Sequence, residues 1–331
     1  MNFRLEFTPQ GAEKKITHKD KIFLIGSCFS ENLGNKLLSH KFNVLQNPYG
    51  VLFNPVSIAD AIERCAENRK ITSEELFYHN ECFHNWSLHS LLSNPNLDAA
   101  VSNINETTET AFNFLKDANV VIITLGSAFG YALKQEAPLY QQDFIVANNH
   151  KGPASWFERK LFSPQRIKDA LLKLIVKLQS INKDVQIIFT VSPVRHLREG
   201  FVENNRSKAI LFSTVHELVE EVLCVNYFPA YELVIDDLRD YRFYTEDMVH
   251  PNYAATNYVW EKFQEVYFDA STKKLLKQIE ELNLAVSHKP FNPNSDAHKK
   301  FKQMQLAKIQ QIQQANSYLS FNKEIKFFST D

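Results

Sequence analysis

Apolar residues along the chain follow two spacings: continuous runs of strand length, and repeats three or four residues apart. The first continuous run covers 22–25 and is followed by Gly26, Ser27 and a helically spaced apolar set, Phe29, Leu33 and Leu37. Continuous apolar runs are typical of strands buried on both faces of a parallel sheet, and the second spacing indicates an amphipathic helix. This stretch therefore predicts a strand, a tight turn carrying Ser27, and a helix.

The same succession recurs along most of the chain. The predicted strands are 22–25, 42–45, 120–125, 185–191 and 231–235, and 5–7 could add an edge strand. The predicted helices are 57–68, 98–116, 164–181, 207–225, 253–268 and 272–284. Alternating strands and helices favour an α/β fold, a three-layer sandwich with a mostly parallel sheet.

Two stretches, 71–95 and 127–162, match neither spacing and are predicted to be packed loop insertions. A break rich in Pro and Asn near residue 290 precedes a final segment rich in Lys and Gln. We therefore expect an α/β domain over 1–285 and a C-terminal helical tail over 286–331.

Composition narrows the class of protein. The 331 residues include 37 Lys and Arg against 38 Asp and Glu, a formal charge of -1 that gives no electrostatic case for nucleic acid. The first residues lack the apolar core of a signal peptide, and no stretch is long enough to cross a bilayer, so we expect a cytoplasmic protein without membrane contact. The four cysteines lack CxxC spacing, and neither a metal nor another cofactor is expected. The composition does not decide whether the protein forms a homo-oligomer.

Candidate chemistry lies where predicted strands end. In a parallel sheet the carboxyl ends share one edge, so this edge should gather five positions: Ser27, Gly50, Gly126, Ser192 and His250. A serine before a helix either caps it or is a nucleophile beside unpaired N–H groups that stabilise an oxyanion. A serine nucleophile needs a base and a group that orients the base, and Asp247 with His250 offers both within four residues.

Longer motifs are similar to those of a known family. They are GSCFS at 26–30, NPYGVLFNP at 47–55, FHNWSLHS at 83–90, ITLGSA at 123–128, NNHK at 148–151, FTVSPVRH at 189–196 and YFPAYELVIDDLRDYRFYTEDMVHP at 227–251. Together they resemble the GSCFA domain family, within the SGNH (GDSL-type) hydrolases with their flavodoxin-like α/β fold. The resemblance spans about 20–265.

The resemblance implies that Ser27 is the nucleophile, His250 the general base and Asp247 its orienting carboxylate. It also implies an oxyanion hole that includes the backbone N–H groups of Ser27 and Gly50, and Gly126 is a further candidate for it. The SGNH pattern expects Gly-x-Asn-Asp after the third strand, whereas this chain has Gly126-Ser127-Ala128-Phe129 and therefore no Asn there. Either another group replaces that donor or activity is low; the candidates are Ser127, Asn148 and Asn149.

Other candidates each have a structural alternative. Cys28 could be a thiolate nucleophile or point into the core. His150 and His196 could join His250 around a metal, although no paired spacing supports this. Arg195 and His196 could bind a substrate carboxylate or phosphate, or Arg195 could pair with a nearby carboxylate, Asp236, Asp237 or Asp240.

The aromatic stretch with Trp86 and His89 could line a pocket for a sugar or an acyl chain, with His150 beside it, or it could fill the core. The sequence thus predicts a serine ester hydrolase acting on a short acyl ester, such as an acetyl ester, of a glycan or small metabolite. An acyltransferase with the same residues and a non-catalytic binding or scaffold protein are the alternatives.

Overall fold

A computed structural model describes residues 5–329. The strands are β1 Lys21–Gly26, β2 Asn43–Gln46, β3 Phe77–His79, β4 Cys82–His84, β5 Val120–Leu125, β6 Phe129–Leu133, β7 Ile145–Val146, β8 Phe157–Leu161, β9 Gln186–Val191 and β10 Val225–Tyr227. The helices are α1 Cys28–Ser39, α2 Pro55–Ala66, α3 Leu97–Leu115, α4 Pro164–Ile181, α5 Phe201–Glu221, α6 Ala230–Glu232, α7 Tyr253–Tyr267, α8 Ala270–Ser287, α9 Asp296–Ala315 and α10 Asn322–Ser329.

Five strands form the central sheet, in the order β10-β9-β5-β1-β2, and every neighbouring pair is parallel. Along the chain this is the flavodoxin-like order, in which the direction of winding reverses between β1 and β5. Ligands of such sheets bind outside the carboxyl ends of the strands at this reversal. Ser27 follows β1 and Gly126 follows β5, so both residues lie at this point.

Successive residues of β1 and β5 face opposite sides of the sheet. Phe23, Ile25, Val121 and Ile123 belong to an apolar cluster with α2, α3, α4 and α5. The alternate positions, 22, 24, 120 and 122, belong to a second cluster with α1 and α7. Helices therefore cover both faces, and the predicted three-layer α/β sandwich is confirmed.

The two predicted loop insertions contain small antiparallel sheets. Strands β3 and β4 form a hairpin within 71–95, and β7, β6 and β8 form a three-stranded sheet within 127–162. Gly130 in β6 lies against the Phe162 ring, where an added Cβ would be 2.4 Å from Cζ. These strands are too short for their alternation to stand out in the sequence.

The predicted strand at 231–235 is wrong, because this segment is helical. The last strand is β10, and after Pro229 the chain forms α6 and a π-helix, Leu233–Leu238, which buries Leu233 and Val234. Helix α5 also begins before the predicted 207 and ends before 225. At the other end of the chain, 5–7 forms no strand.

The C-terminal helices form their own apolar cluster on α8, in which Ile279 and Leu282 pack with Ile309 and Phe321. Lys41, after α1, pairs with Glu324 of α10 at 2.6 Å. Within residues 5–329, no helix combines the length and the apolar character that a membrane span requires.

Replacing Gly26 by Ala should destabilise the protein by about 2 kcal/mol or more, because φ at Gly26 is +137° and an added Cβ would lie 2.2 Å from the Thr124 carbonyl oxygen. The guanidinium chloride midpoint measures this loss. Gly11→Ala is the matched control, since the nearest atom there is the flexible Lys15 Nζ at 3.4 Å. Equal shifts for the two variants would contradict the close packing inferred at Gly26.

Candidate active site

Ser27 lies between β1 and α1 as predicted and caps the helix. Its Oγ accepts a hydrogen bond from the Phe29 N–H at 3.3 Å, and its own N–H donates to the Thr124 carbonyl at 3.0 Å. The residue is 0 % exposed. The hydroxyl is therefore at the carboxyl edge of the sheet but closed off from solvent in this structure.

Asp247 and His250 form the pair that their spacing predicts. His250 Nδ1 lies 2.6 Å from Asp247 Oδ2, while Oδ1 accepts from the Thr245 hydroxyl and from the backbone N–H groups of Val249 and His250. The Thr245 hydroxyl, followed by these N–H groups and the imidazole, holds the pKa of Asp247 far below its usual range. An ionised carboxylate bonded to Nδ1 leaves Nε2 to act as a base. The imidazole is half exposed.

Ser27 and His250 are related in this structure through side chains that lie between their loops. No hydrogen bond joins their side chains among the described residues, so the predicted triad is not assembled in this structure. Lys208 and His250 both lie close enough to His196 to lower its pKa, and Cys28, beside the serine, lies close enough to Lys208 to affect the pKa of that amine. The loop carrying His250 is also held to the loop after β9, because the Arg195 N–H donates to the Val249 carbonyl.

The three backbone groups expected in the oxyanion hole are all engaged within the fold. Ser27 N–H donates to Thr124, Gly50 N–H to the Asn47 carbonyl at 2.8 Å, and Gly126 N–H to the Phe53 carbonyl at 2.8 Å. An oxyanion would have to displace one of these bonds.

The side-chain candidates for that donor differ from one another. Asn148 Oδ1 accepts from the Ser90 hydroxyl and the His150 N–H, which leaves its amide N–H groups available as donors. Asn149 beside it also lines a cavity at this edge. The Ser127 hydroxyl is already bonded to Ser207 Oγ and the Phe129 N–H. The two asparagines are therefore the donors that cost no existing bond of the fold.

Side chains cover the glycines that flank Ser27. An added Cβ at Gly50 would lie 2.4 Å from His89 Cβ, and one at Gly126 would lie 3.1 Å from His196 Nε2 and 3.3 Å from Phe53 Cβ. His89 also accepts from the Leu91 N–H through Nδ1, and burial lowers its pKa. His89, His196 and Phe53 thus pack against the loops that carry Gly50 and Gly126.

Helix α5 supplies three polar residues that the sequence analysis missed: Asn204, Ser207 and Lys208, all nearly buried. Lys208 Nζ donates to the carbonyls of Gly126 and Ser192, each at 2.7 Å, and therefore joins the loops after β5 and β9. Ser207 Oγ accepts from the Ala128 N–H, and Asn204 Oδ1 from the His196 N–H. Their spacing of three and four residues on an otherwise apolar helix face was the available signal.

The Lys208 ammonium lies fully inside the protein. Burial lowers its pKa to about 7. Because both its carbonyl partners belong to loops at the edge of the sheet, this side chain positions those loops and places a titratable charge beside them.

Arg195 and His196 line a cavity of about 510 Å³ at the same edge, together with Ser127, Asn148, Asn149 and Arg198. No salt bridge joins Arg195 to a carboxylate among the described residues, so the expected partners Asp236, Asp237 and Asp240 do not neutralise it. Its guanidinium stacks on Tyr244 and Tyr241, with ring centroids 4.2 and 4.9 Å away. Burial, and then Lys208, lowers the pKa of His196 to about 3, so this imidazole is neutral at pH 7.

Trp86 and His150 lie in the packed core of the insertions. Trp86 stacks on Phe77 with ring centroids 3.9 Å apart and donates through Nε1 to the Pro138 carbonyl. His150 is 3 % exposed, and both ring nitrogens are bonded, to Ser90 Oγ and to the Asn85 carbonyl. In this structure neither side chain lines the cavity beside Arg195.

Two alternatives from the sequence gain no structural support. Burial, with the charge of Glu31, raises the pKa of the Cys28 thiol, which disfavours the thiolate that a nucleophile requires. Among residues 5–329, no group of three His, Cys, Asp or Glu side chains is arranged to hold a metal ion, and His150, His196 and His250 do not form one.

Comparison with known proteins gives two family matches. The GSCFA family profile matches residues 21–263, and the profile of the GSCFA domain protein, C-terminal domain, matches 279–330. The second match begins within α8 and includes the C-terminal cluster, whereas the boundary expected from the sequence was at 285/286. Curated protein sequences give no match.

Among solved structures, one from Bacteroides fragilis NCTC 9343, described as a putative acylhydrolase, is 9 % identical over 81 % of this chain and 92 % of that chain, with a TM-score of 0.36. The family profile covers most of the present chain and includes Ser27, Asp247 and His250. The chain belongs to the GSCFA family.

Proposed function

We propose that this protein is a serine ester hydrolase that acts on short acyl esters, acetyl esters among them, of a glycan or small metabolite. The observation that carries the proposal is the Asp247–His250 pair, whose Oδ2 and Nδ1 atoms lie 2.6 Å apart, in a loop that is bonded to the loop after β9 through the Val249 carbonyl. An imidazole bonded through Nδ1 to an ionised carboxylate, with Nε2 open, is the arrangement of a general base.

In the proposed reaction, Ser27 Oγ attacks the ester carbonyl while His250 Nε2 takes the hydroxyl proton. His250 then returns that proton to the leaving alcohol, and water releases the acyl group from Ser27 by the reverse sequence. Asp247 keeps the proton of His250 on Nδ1 throughout. The amide N–H groups of Asn148 or Asn149 would stabilise the oxyanion, since the nearby backbone N–H groups are engaged.

The proposal requires a local opening, because Ser27 is buried and not bonded to His250. We expect the side chains packed against the loops of Gly50 and Gly126, which are His89, Phe53 and His196, to take part in this opening. Phe53 is 36 % exposed and packs edge-on against His196, so its displacement breaks one ring contact and no hydrogen bond of its side chain.

A fluorophosphonate probe should label the wild-type protein at a single serine, Ser27, because only a serine with an activated hydroxyl displaces the fluoride. Ser27→Ala should abolish both labelling and hydrolysis of p-nitrophenyl acetate. Ser30→Ala is the matched control, since Ser30 is a buried neighbour in the same helix with an unpaired hydroxyl, and it should keep both. Mass spectrometry of the adduct identifies the site, and an adduct elsewhere would contradict this role of Ser27.

Asp247→Asn should lower kcat by about 10⁴-fold, as expected when the orienting carboxylate of a triad becomes an amide. The asparagine oxygen can still accept the three bonds that shape the loop, but its NH₂ group replaces the acceptor of the His250 Nδ1 proton. Glu246→Gln removes the adjacent exposed carboxylate and should change kcat less than twofold. Steady-state kinetics on p-nitrophenyl acetate measures both, and equal losses would argue against an orienting role.

A non-catalytic binding protein is the second candidate. The sealed Ser27 hydroxyl and the three engaged backbone N–H groups favour it, because both describe a site not prepared for chemistry. Absence of fluorophosphonate labelling and of ester turnover in the folded wild-type protein would support this candidate and remove the hydrolase proposal.

A further inference from the structure

Basic, neutral polar and apolar residues line the cavity of about 510 Å³ at the carboxyl edge of the sheet. Arg195, His196 and Arg198 line it from the segment that follows β9, and Asn148 and Asn149 come from the loop that follows β7. Val249, next to His250, also lines it. The cavity therefore adjoins the loop that carries the proposed base.

The charged residues that line this cavity in the described structure are both basic. Two arginines line it, and no Asp or Glu lines it among the residues that the structure describes. This imbalance is local, because the whole chain carries nearly equal numbers of basic and acidic residues. An arginine that lines a cavity without an acidic partner keeps its ability to bind an anion through parallel N–H bonds.

Aromatic rings hold both guanidinium groups in place. Arg195 lies over Tyr244 and Tyr241, and Arg198 lies over Tyr131 at 5.6 Å. Arg195 Nη1 is enclosed and has no hydrogen-bond partner among the described residues. Stacking fixes the plane of a guanidinium group without neutralising its charge, so less side-chain entropy is lost when an anion binds.

Neutral polar side chains add hydrogen-bonding groups to the same cavity. The bond that Oδ1 accepts from the His150 backbone N–H fixes the orientation of Asn148, so its NH₂ group is the part that remains to donate. Burial keeps His196 neutral at pH 7, and its Nε2 has no partner in the described structure. Fixed guanidinium groups together with one of the two asparagine amides match the oxygens of a carboxylate or a phosphate, and the other amide stays available for the ester oxyanion.

We propose that this cavity binds an oxyanion, a carboxylate or phosphate group carried by the ester substrate, through Arg195 and Arg198. The anionic group would occupy the cavity while the ester carbonyl lies beside His250. The anion site is inferred from the cavity itself, and only its assignment to the substrate rests on the proposed hydrolase function.

The binding test uses the intact Ser27→Ala protein, so it does not depend on turnover. Isothermal titration at low ionic strength should detect inorganic phosphate or benzoate, and benzamide, which has the shape of benzoate without its charge, should bind at least tenfold more weakly. Arg195→Gln and Arg198→Gln should each weaken anion binding by about tenfold or more, since a hydrogen bond to a charged group is lost. Arg242→Gln is the matched control, because Arg242 is exposed and already paired with Asp240, and it should leave binding unchanged.

Equal binding of benzoate and benzamide, or equal losses in all three arginine variants, would overturn the anion site. Arg198→Gln keeps the test decisive if Arg195→Gln fails to fold, because Arg198 is exposed and its recorded ring contact is with Tyr131 alone. The relative strength of phosphate and benzoate identifies which oxyanion the cavity prefers.

The kinetic test uses the wild-type protein and three acetyl esters: 4-acetoxybenzoate, 4-acetoxyphenyl phosphate and the uncharged methyl 4-acetoxybenzoate. At least one anionic ester should have a kcat/KM about tenfold or more above that of the neutral ester, and Arg195→Gln should remove this preference through KM. Hydrolysis without preference would overturn the substrate assignment. Anion binding without any hydrolysis would retain the cavity as an anion site and reject the hydrolase function.

Discussion

The close approach of β1 to β5 at their carboxyl ends is the constraint on which the site depends. Residue 26 has no side chain, so the Thr124 carbonyl can lie where a Cβ would otherwise be, and Ser27 then donates its N–H to that carbonyl. The Asn47 side chain accepts from Gly26 N–H on the other side and adds the β2 loop. The close contact between Gly26 and Thr124 therefore positions Ser27 at the reversal point of the sheet, next to the loop that follows β2.

Helix α5 secures the other half of this edge. Its buried polar residues bond to backbone groups of the loops after β5 and β9, and those loops in turn adjoin the loop of His250. A buried hydrogen bond to a backbone group contributes little net free energy to folding, but leaving its buried donor or acceptor unpaired costs more. Such bonds therefore hold a loop in place mainly because breaking them is unfavourable. The bonds from α5 therefore restrict the movement of the loops beside the candidate catalytic residues.

The sequence was sufficient for the parts of the fold with strong local patterns. Long apolar strands such as β5 and β9, and the turn at Ser27, follow from periodicity alone. β10 was missed because three residues give no pattern, and the helical segment after Pro229 was misread because its apolar residues lie close together in the chain. The antiparallel sheet of β6 to β8 depends on pairing between segments that are distant in sequence.

Within the site, the Asp247–His250 pair was predictable because a spacing of three within one loop needs no tertiary information. Lys208 was not, because a lysine in a helix ordinarily faces water, and only the assembled fold shows its carbonyl partners. The packing of His89, Phe53 and His196 on the loops of Gly50 and Gly126 also joins segments that are distant in the sequence. The sequence therefore identifies the residues of such a site more readily than it predicts whether their side chains are exposed to solvent.

The buried amine of Lys208 has a further consequence. Its two carbonyl bonds use two N–H groups, and an uncharged amine still carries two, so the amine can lose its third proton without releasing either loop. Since its pKa is about 7, the interior beside Cys28 and His196 can change charge near neutrality while the geometry is retained. The hydrogen bonds that hold this edge of the sheet can therefore persist while its electrostatic potential changes.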